Sequence, residues 1–229
     1  MASHDRRLNT YADILSGLPR ATSELRIVST YASSIKPALD FILAVLIVIP
    51  AAFLVGIFAL LVMLDGHNPF YRQTRIGKNG RAFEMWKLRS MVPNAEAVFE
   101  SYLASDPEAR KEWDLTQKLK NDPRITVIGR LIRKSSIDEL PQLFNVLKGD
   151  MALVGPRPMM LDQRALYPGL AYYAMRPGIT GFWQTSERNE SSFAERATYD
   201  ASYFNEMSFK TDMGVIFKTV GVVLTGTGY

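Results

Sequence analysis

The sequence predicts a mixed α/β domain, mostly helical with short strands, that is attached to a membrane by a proline-kinked apolar helix. Two observations support this fold class. Residues Phe41–Leu64 form one uninterrupted apolar run, and the residues after it combine helical apolar spacing with short β-branched runs. The length of 229 residues is enough for one domain with a core plus a membrane segment, but not for two large domains.

The apolar run Phe41–Leu64 contains no charged side chain. As a helix with a rise of about 1.5 Å per residue it would extend ~36 Å, which exceeds the roughly 30 Å hydrocarbon core of a bilayer. Pro50 removes a backbone donor and clashes with the carbonyl of Leu46, so a sharp kink is predicted. Neither piece of the kinked run spans a bilayer by itself.

Charge on either side of this run does not select an orientation. Basic residues occur before it, at Arg20, Arg26 and Lys36, and after it, at Arg72, Arg75, Lys78 and Arg81. The positive-inside rule therefore gives no clear orientation. Two topologies stay open, a helix that crosses the membrane and a re-entrant helix that enters and returns to the same side.

The run divides the chain into three segments. Residues 1–37 contain scattered arginine, serine and threonine without a signal-peptide pattern, which predicts a mobile cytoplasmic arm. Residues 38–64 form the membrane helix, and residues 65–229 form a domain of mixed secondary structure.

Residues 65–229 alternate turn, strand and helix signals. The polar stretch Asn68–Arg81 contains turn sequences. Strands are predicted at Phe83–Met91 and Ile125–Ile128, and a helix is predicted at Ala95–Leu119 with an interruption near Asp106. An amphipathic helix is predicted through Leu140, Leu143, Phe144 and Leu147, and it ends at Gly149. A C-terminal helix is predicted with an apolar face of Met213, Ile216, Phe217, Val220 and Leu224. That last face fits either the bilayer surface or the domain's own core.

Composition excludes several kinds of chemistry. The chain has no cysteine, and its two histidines, His4 and His67, lie in different contexts and form no cluster by themselves. Catalysis would therefore depend on carboxylates, hydroxyls, lysine or arginine. The net charge of +4 fits an anionic partner, whether a membrane surface, a phosphate or a nucleic acid.

The most informative stretch is Asn121–Pro158, in which Asp138 and Glu139 follow several basic residues. Ser136 and Glu139 match a capping box. A helix with Asp138 as its N-cap places Pro141 in the first turn, where the missing N–H is tolerated, and we prefer that start. By spacing alone the two acids are a helix cap. A carboxylate here could also bind a divalent cation and attack phosphorus, while its neighbour handles a proton.

Arg157 and Arg176 stand in rigid contexts, GPRP and RPGITG. Rigid backbones suit bidentate phosphate contacts because little entropy is lost on binding, and a solvated arginine in a turn is the alternative. Phe182 and Trp183 fit either a core pair or a platform for a base. The sequence has no P-loop, GxGxxG, HExxH or GxSxG motif.

Five motifs occur in a defined order along the chain. They are DFILAV from Asp40, KLRSM from Lys87, DPRIT from Asp122, SSIDELPQLFNVLKGDMALVGPRP from Ser135 and RPGITGFWQ from Arg176. In these motifs the chain resembles the bacterial sugar transferases, the monotopic phosphoglycosyl transferases that begin surface-glycan assembly. The resemblance favours an enzyme over a membrane-anchored regulator or a receptor.

The resemblance implies a reaction in which hexose-1-phosphate passes from a UDP-hexose to polyprenyl (undecaprenyl) phosphate with release of UMP. The chain looks most like the galactose- or glucose-phosphate transferases of exopolysaccharide synthesis, and the implied mechanism is ping-pong through a covalent phosphosugar–aspartate. Asp138 matches the nucleophile and a ligand of the required Mg²⁺, and Glu139 matches the base for the lipid phosphate. Basic positions around the phosphates and nucleotide are matched by Lys87, Arg133, Arg157 and Arg176.

The resemblance also implies where the protein acts. Because UDP-sugars are cytoplasmic, it implies a re-entrant helix in the bacterial inner (cytoplasmic) membrane, with the catalytic domain of residues 65–229 on the cytoplasmic face. The implied partners are UDP-hexose, polyprenyl phosphate and membrane lipid, with no nucleic acid, and a homodimer is left open. Two positions depart from the family pattern. Ile49 replaces the serine that precedes Pro50, and Glu187 replaces a glycine.

Overall fold

The computed structural model describes residues 30–117, 119–186 and 192–225, and in these ranges the chain is mostly helical with short strands, as predicted. The helices are α1 (Lys36–Met63), α2 (Ala95–Ser105), α3 (Pro107–Thr116), α4 (Val127–Lys134), α5 (Leu143–Leu147), α6 (Ala171–Ala174), α7 (Arg196–Glu206) and α8 (Phe209–Thr225). The strands are β1 (Phe70–Ile76), β2 (Ala82–Leu88), β3 (Ala152–Val154) and β4 (Gly178–Thr180). Most of the predicted N-terminal arm, and Glu187, lie outside the described residues.

In the described part of the chain, α1 with the π-helical turn before it is the one helix long and apolar enough to cross a membrane, with a mean hydropathy of 3.0. It remains helical through Pro50. Its small residues Ala44, Ala51 and Ala59 are buried against the rest of the chain, because small side chains allow close packing. The other faces carry exposed large apolar side chains, such as Ile49, which is 76% exposed. Such an extensive apolar surface requires lipid or another apolar partner.

Both ends of α1 contact the domain that follows it. In the first turn, Nζ of Lys36 lies 2.8 Å from Oδ2 of Asp212 in α8. In the last turn, Arg89 donates a 3.3 Å hydrogen bond to the carbonyl of Val62 and pairs with Asp65 at 2.7 Å. The domain therefore holds the helix near its beginning and near its end.

β1 and β2 form an antiparallel hairpin that places Tyr71 opposite Lys87. The strand predicted at Phe83–Met91 is confirmed as β2. The turn predicted at GKNG within the polar stretch Asn68–Arg81 is confirmed, because Lys78–Gly80 form a 3₁₀ turn, but the stretch also contains β1, which we did not predict. β1 lacks the apolar alternation that marks a strand, since most of its residues are exposed or half-buried.

The interruption predicted within Ala95–Leu119 is confirmed. Asp106 separates α2 from α3, and its side chain accepts hydrogen bonds from the backbone N–H groups of Glu108 and Ala109. It is therefore the N-cap of α3.

The strand predicted at Ile125–Ile128 is wrong. Ile125 forms an isolated bridge with Met91, and α4 begins two residues later. Thr126 ends the extended segment because its side chain caps α4 by accepting from the N–H of Gly129.

The predicted C-terminal helix is confirmed as α8, and it uses two faces. Val215 is buried, and Ile216 packs beside it against the core, whereas Phe217 and Val220 are exposed. The side chain of Leu224 lies outside the described part of the chain. One face of α8 thus packs on the domain, and an apolar face remains for a surface partner.

β3 and β4 pair in parallel and bring the GPRP segment beside the RPGITG segment. The N–H of Gly155 donates to the carbonyl of Thr180 at 2.9 Å. A Cβ atom at Gly155 would lie 2.4 Å from the carbonyl oxygen of Arg176, and one at Gly178 would lie 2.1 Å from the nitrogen of Gly155. Only glycines permit this close approach.

Candidate active site

Asp138 and Glu139 lie in a 3₁₀ helix, Ile137–Gln142, that continues into α5. The prediction that Asp138 is the N-cap of an α-helix is therefore wrong. Pro141 has no N–H to give to the carbonyl four residues earlier, which favours the tighter winding. Ser136 occupies the N-cap position at φ 56 and forms no side-chain cap.

The predicted end of this helical segment at Gly149 is confirmed. Gly149 has φ +79, its N–H donates to the carbonyl of Val146, and the N–H of Asp150 donates to the carbonyl of Asn145, both at 2.9 Å. These two bonds form a Schellman motif, which fixes where α5 stops.

Asn145 joins α5 to β2. It is fully buried, accepts a 3.0 Å hydrogen bond from the N–H of Trp86 and donates a 2.7 Å bond to the carbonyl of Glu84. We did not predict this role, although a polar side chain on an otherwise apolar helix is a signal for it. The contact fixes β2, and with it Lys87, relative to the acidic pair.

Lys87 brings together the two predicted catalytic acids. Its Nζ donates a 2.7 Å hydrogen bond to Oε1 of Glu139 and lies 3.9 Å from Oδ2 of Asp138. Arg157 approaches the same oxygen of Glu139 at 3.7 Å. Asp138 is only 6% exposed. The predicted acids and two of the predicted basic residues thus meet at one place.

Burial, together with the charge of Glu139, raises the pKa of Asp138 to about 6. The charges of Lys87, Arg133 and Arg157 oppose this rise. A carboxyl group with this pKa is still largely ionised at neutral pH while being shielded from water. Such perturbed acids in clefts are typical of functional sites.

The other two predicted basic residues contribute differently. Arg133, at the end of α4, donates a 2.8 Å hydrogen bond to Ser90, and burial lowers its pKa. Arg133 forms no ion pair with Asp138, but its positive charge lowers the pKa of that carboxyl group. The guanidinium of Arg176 lies beside Gly149, at the end of α5, with no ion pair to either acid among the described residues. Its predicted phosphate-binding role stays a prediction.

Two adjoining cavities lie at this site, and Glu139 lines the first of them. The first cavity is lined by Arg75, Lys87, Glu139, Gln142 and Arg157. The second shares Arg157 and is lined also by Tyr167, Trp183, Arg196 and Asp200. We did not predict Arg75, Arg196 or Asp200. The rigid RIGKNG context of Arg75 resembles that of Arg157 and could have indicated it, whereas Arg196 has no local signal.

The aromatic pair Phe182 and Trp183 belongs to the core. Trp183 is 2% exposed, and the guanidinium carbon of Arg196 lies 4.2 Å from its ring centroid. Phe182 packs edge-on against Tyr203. Of the two alternatives for this pair, the core pair is confirmed.

The donor atoms of the acidic pair suit Mg²⁺. This cation prefers oxygen ligands, and its sites commonly combine one or two carboxylates with substrate phosphates and water. Among the described residues no three acidic or imidazole side chains converge on one point. Asp138, with Glu139 adjacent, therefore fits a site that phosphates of a substrate would complete.

A buried carboxylate among lysine and arginine side chains, at a cleft lined by arginines, is typical of proteins that bind phosphates. The family described as "Bacterial sugar transferase" matches residues 31–226. The chain belongs to this family.

Named relatives differ in how much of their length the chain covers. It is 39% identical to "Exopolysaccharide production protein ExoY" of Sinorhizobium fredii. This alignment of 213 residues covers 92% of this chain and 93% of the relative. It is 45% identical over 196 residues to "Undecaprenyl-phosphate galactose phosphotransferase" of Salmonella typhimurium, covering 85% of this chain. It is 34% identical over 197 residues to "UDP-glucose:undecaprenyl-phosphate glucose-1-phosphate transferase" of Escherichia coli, covering 81% of this chain. The chain spans 41% and 39% of the length of the last two.

Proposed function

We propose that this protein is a membrane-bound polyprenyl-phosphate hexose-1-phosphate transferase. It takes galactose- or glucose-1-phosphate from a UDP-hexose, loads it onto undecaprenyl phosphate and releases UMP, in the first membrane step of exopolysaccharide synthesis. The observation that carries this proposal is the buried Asp138 beside Lys87 and Glu139, at a cleft lined by arginines. The names of the relatives support the choice of substrates.

In the first half-reaction Asp138 is the nucleophile. Its carboxylate oxygen forms a bond to the phosphorus that bears the sugar, the bond from this phosphorus to the bridging oxygen breaks, and UMP leaves with the electron pair. Lys87, Arg133 and Arg157 offset the negative charge of the transferred phosphoryl group. Burial keeps competing water away from the covalent phosphosugar.

In the second half-reaction Glu139 accepts the proton of the lipid phosphate. An oxygen of that phosphate then forms a bond to the phosphorus, the acyl-phosphate P–O bond breaks, and Asp138 is restored as a carboxylate. Lys87 holds Glu139 at 2.7 Å, which orients its side chain. Mg²⁺, held by Asp138 with Glu139 beside it, would neutralise charge on the diphosphate.

The contacts of α1 support a re-entrant helix over a spanning one. Lys36 and Val62 are 26 positions apart, which corresponds to about 39 Å in a straight helix, yet the same domain contacts both. A spanning helix would carry one of these ends to the far side of the bilayer. In our proposal both ends are at the cytoplasmic face of the inner membrane, where UDP-sugars are available.

Release of UMP tests the proposed reaction. The full chain in nanodiscs is incubated with Mg²⁺, undecaprenyl phosphate and a panel of UDP-hexoses. We expect UMP with UDP-galactose or UDP-glucose, together with a lipid-linked sugar diphosphate. The absence of UMP with every UDP-sugar would sink the proposal.

A matched pair of variants tests the nucleophile. Asp138→Asn should abolish UMP release and covalent labelling by a UDP-sugar with a radiolabelled hexose. Asp114→Asn, which changes an exposed carboxylate in α3, should leave both unchanged. Full activity of Asp138→Asn would rule out the nucleophile assignment.

Cysteine labelling tests the topology, since the chain has no native thiol. We expect Ser3→Cys and Lys111→Cys to react with a membrane-impermeant maleimide from the cytoplasmic side only. Labelling of the two positions from opposite sides would establish a spanning helix.

A further inference from the structure

Three arginines from distant parts of the sequence line two adjoining cavities, the first of which is also lined by Glu139. Arg75 of β1 and Arg157 line the first cavity, and Arg157 and Arg196 of α7 line the second. The guanidinium carbons of Arg157 and Arg196 lie 5.8 Å and 4.2 Å from the ring centroid of Trp183. Arg157 therefore joins the other two into one cationic cluster.

This cluster has few protein counter-charges, although Asp200 lines the second cavity and its charge raises the pKa of Arg196. Among the described residues, neither Arg75 nor Arg196 has a carboxylate oxygen within 4.0 Å, and Arg157 has only Glu139, at 3.7 Å. The buried Nε atoms of Arg75 and Arg196 have no hydrogen-bond partner. Buried cations with unused donors are unfavourable unless an anion completes the site.

The electrostatics agree with this geometry. Burial, together with the charge of Arg157, lowers the pKa of Arg75 to about 10 and that of Arg196 to about 9. Both side chains remain charged at neutral pH. An anion bound between them would relieve the mutual repulsion, and guanidinium groups match phosphate oxygens in pairs.

We propose that Arg75, Arg157 and Arg196 form a phosphate-monoester subsite that holds the phosphate of UMP in the first half-reaction and the phosphate of the lipid acceptor in the second. The attacking and leaving oxygens of a phosphoryl transfer lie roughly in line. UMP thus departs from the side of the phosphorus opposite Asp138, and the acceptor attacks from that same side. One subsite serves both phosphates in turn. This inference rests on the proposed function.

Product inhibition of the full chain in nanodiscs tests the shared subsite. UMP release or formation of the lipid product is measured against varied undecaprenyl phosphate at several concentrations of added UMP. A shared subsite makes UMP a competitive inhibitor with respect to the lipid phosphate. Noncompetitive inhibition would show separate sites and overturn the inference.

Variants identify the residues. Arg75→Gln and Arg196→Gln should each raise both the inhibition constant of UMP and the KM for undecaprenyl phosphate by about tenfold or more, whereas exposed Arg81→Gln, on the same hairpin as Arg75, should change neither. Arg196→Lys should recover part of the loss, which separates charge from folding. An effect on only one of the two constants would contradict a shared subsite.

Exchange of labelled UMP into UDP-hexose without any lipid acceptor separates the two proposals. If the wild-type chain shows no exchange, the transferase proposal itself fails. If exchange occurs and Arg75→Gln and Arg196→Gln exchange as fast as wild type at low UMP, the transferase proposal stands and the subsite is wrong.

Discussion

Tyr203 in α7 donates a 2.6 Å hydrogen bond to Asp212 in α8, and the same carboxylate holds Lys36 of the apolar helix at 2.8 Å. Lys36 also lies 3.4 Å from Asp40, which accepts a hydrogen bond from the N–H of Leu153 in β3. This network is buried and joins α1 to the strand that leads into GPRP. The position of Arg157 therefore depends on how α1 docks.

Replacement of Lys36 by methionine should destabilise the protein by about 3–5 kcal/mol, because it leaves two buried carboxylates without their cation. Thermal unfolding in detergent measures the change. Lys218→Met, which alters an exposed lysine on α8, is the matched control and should have little effect. Equal melting temperatures for the two variants would mean that the network contributes no stability.

Lys87→Met should lower kcat/KM for UMP release by about a hundredfold, because it removes a preorganised positive charge from both acids. Steady-state kinetics with UDP-hexose measure this loss. Lys111→Met removes the lysine of an exposed Lys–Glu pair on α3 and should leave the rate unchanged. A wild-type rate for Lys87→Met would exclude an electrostatic role for this residue.

Gly155→Ala should destabilise the protein by about 1–3 kcal/mol and reduce activity, because the new Cβ would lie 2.4 Å from the carbonyl oxygen of Arg176. Gly214→Ala should instead increase the stability of the protein. No atom lies within 4 Å of a Cβ there, so the better helix former should stabilise α8 by up to about 1 kcal/mol. Melting temperatures that shift in the same direction would contradict this account.

Asp200 should make stability fall as pH rises from about 4 to about 7. Burial raises its pKa to about 7 in the folded protein, against the opposing effects of Tyr167 and Arg196, whereas the unfolded chain has a pKa of about 3.9. Between these values only the unfolded state has lost the proton, so rising pH favours unfolding, with a limiting slope of about 1.4 kcal/mol per pH unit. Above pH 7 this contribution is constant.

Asp200→Asn should remove that dependence, since the amide oxygen still accepts from Tyr167 without a charge. Melting temperatures of the variant and of wild type are compared from pH 4 to pH 8, and the difference should grow in favour of the variant. Asp114→Asn, which changes an exposed carboxylate in α3, is the matched control and should have little effect on the melting temperature. A constant difference for Asp200→Asn would show that Asp200 does not titrate in this range.

The sequence predicted those parts of the fold that depend on interactions between residues close together in the chain. Pro107 begins a helix and Asp106 caps it, so the break between α2 and α3 is determined within a few residues. Gly149 takes a left-handed conformation that other residues adopt at a cost, so it marks a helix end. Ile125–Ile128 failed as a strand because a threonine cap outweighed β-branched propensity.

The sequence by itself determined the apolar helix, the family motifs and the acidic pair of Asp138 and Glu139, because each of these features consists of consecutive residues. Only the tertiary structure decided which charges are buried and which are paired. Arg75 and Arg196 meet through packing of β1 and α7, while Arg176 is placed at Gly149. Electrostatic energies depend on distance and burial, and these are set by long-range packing that no local pattern encodes.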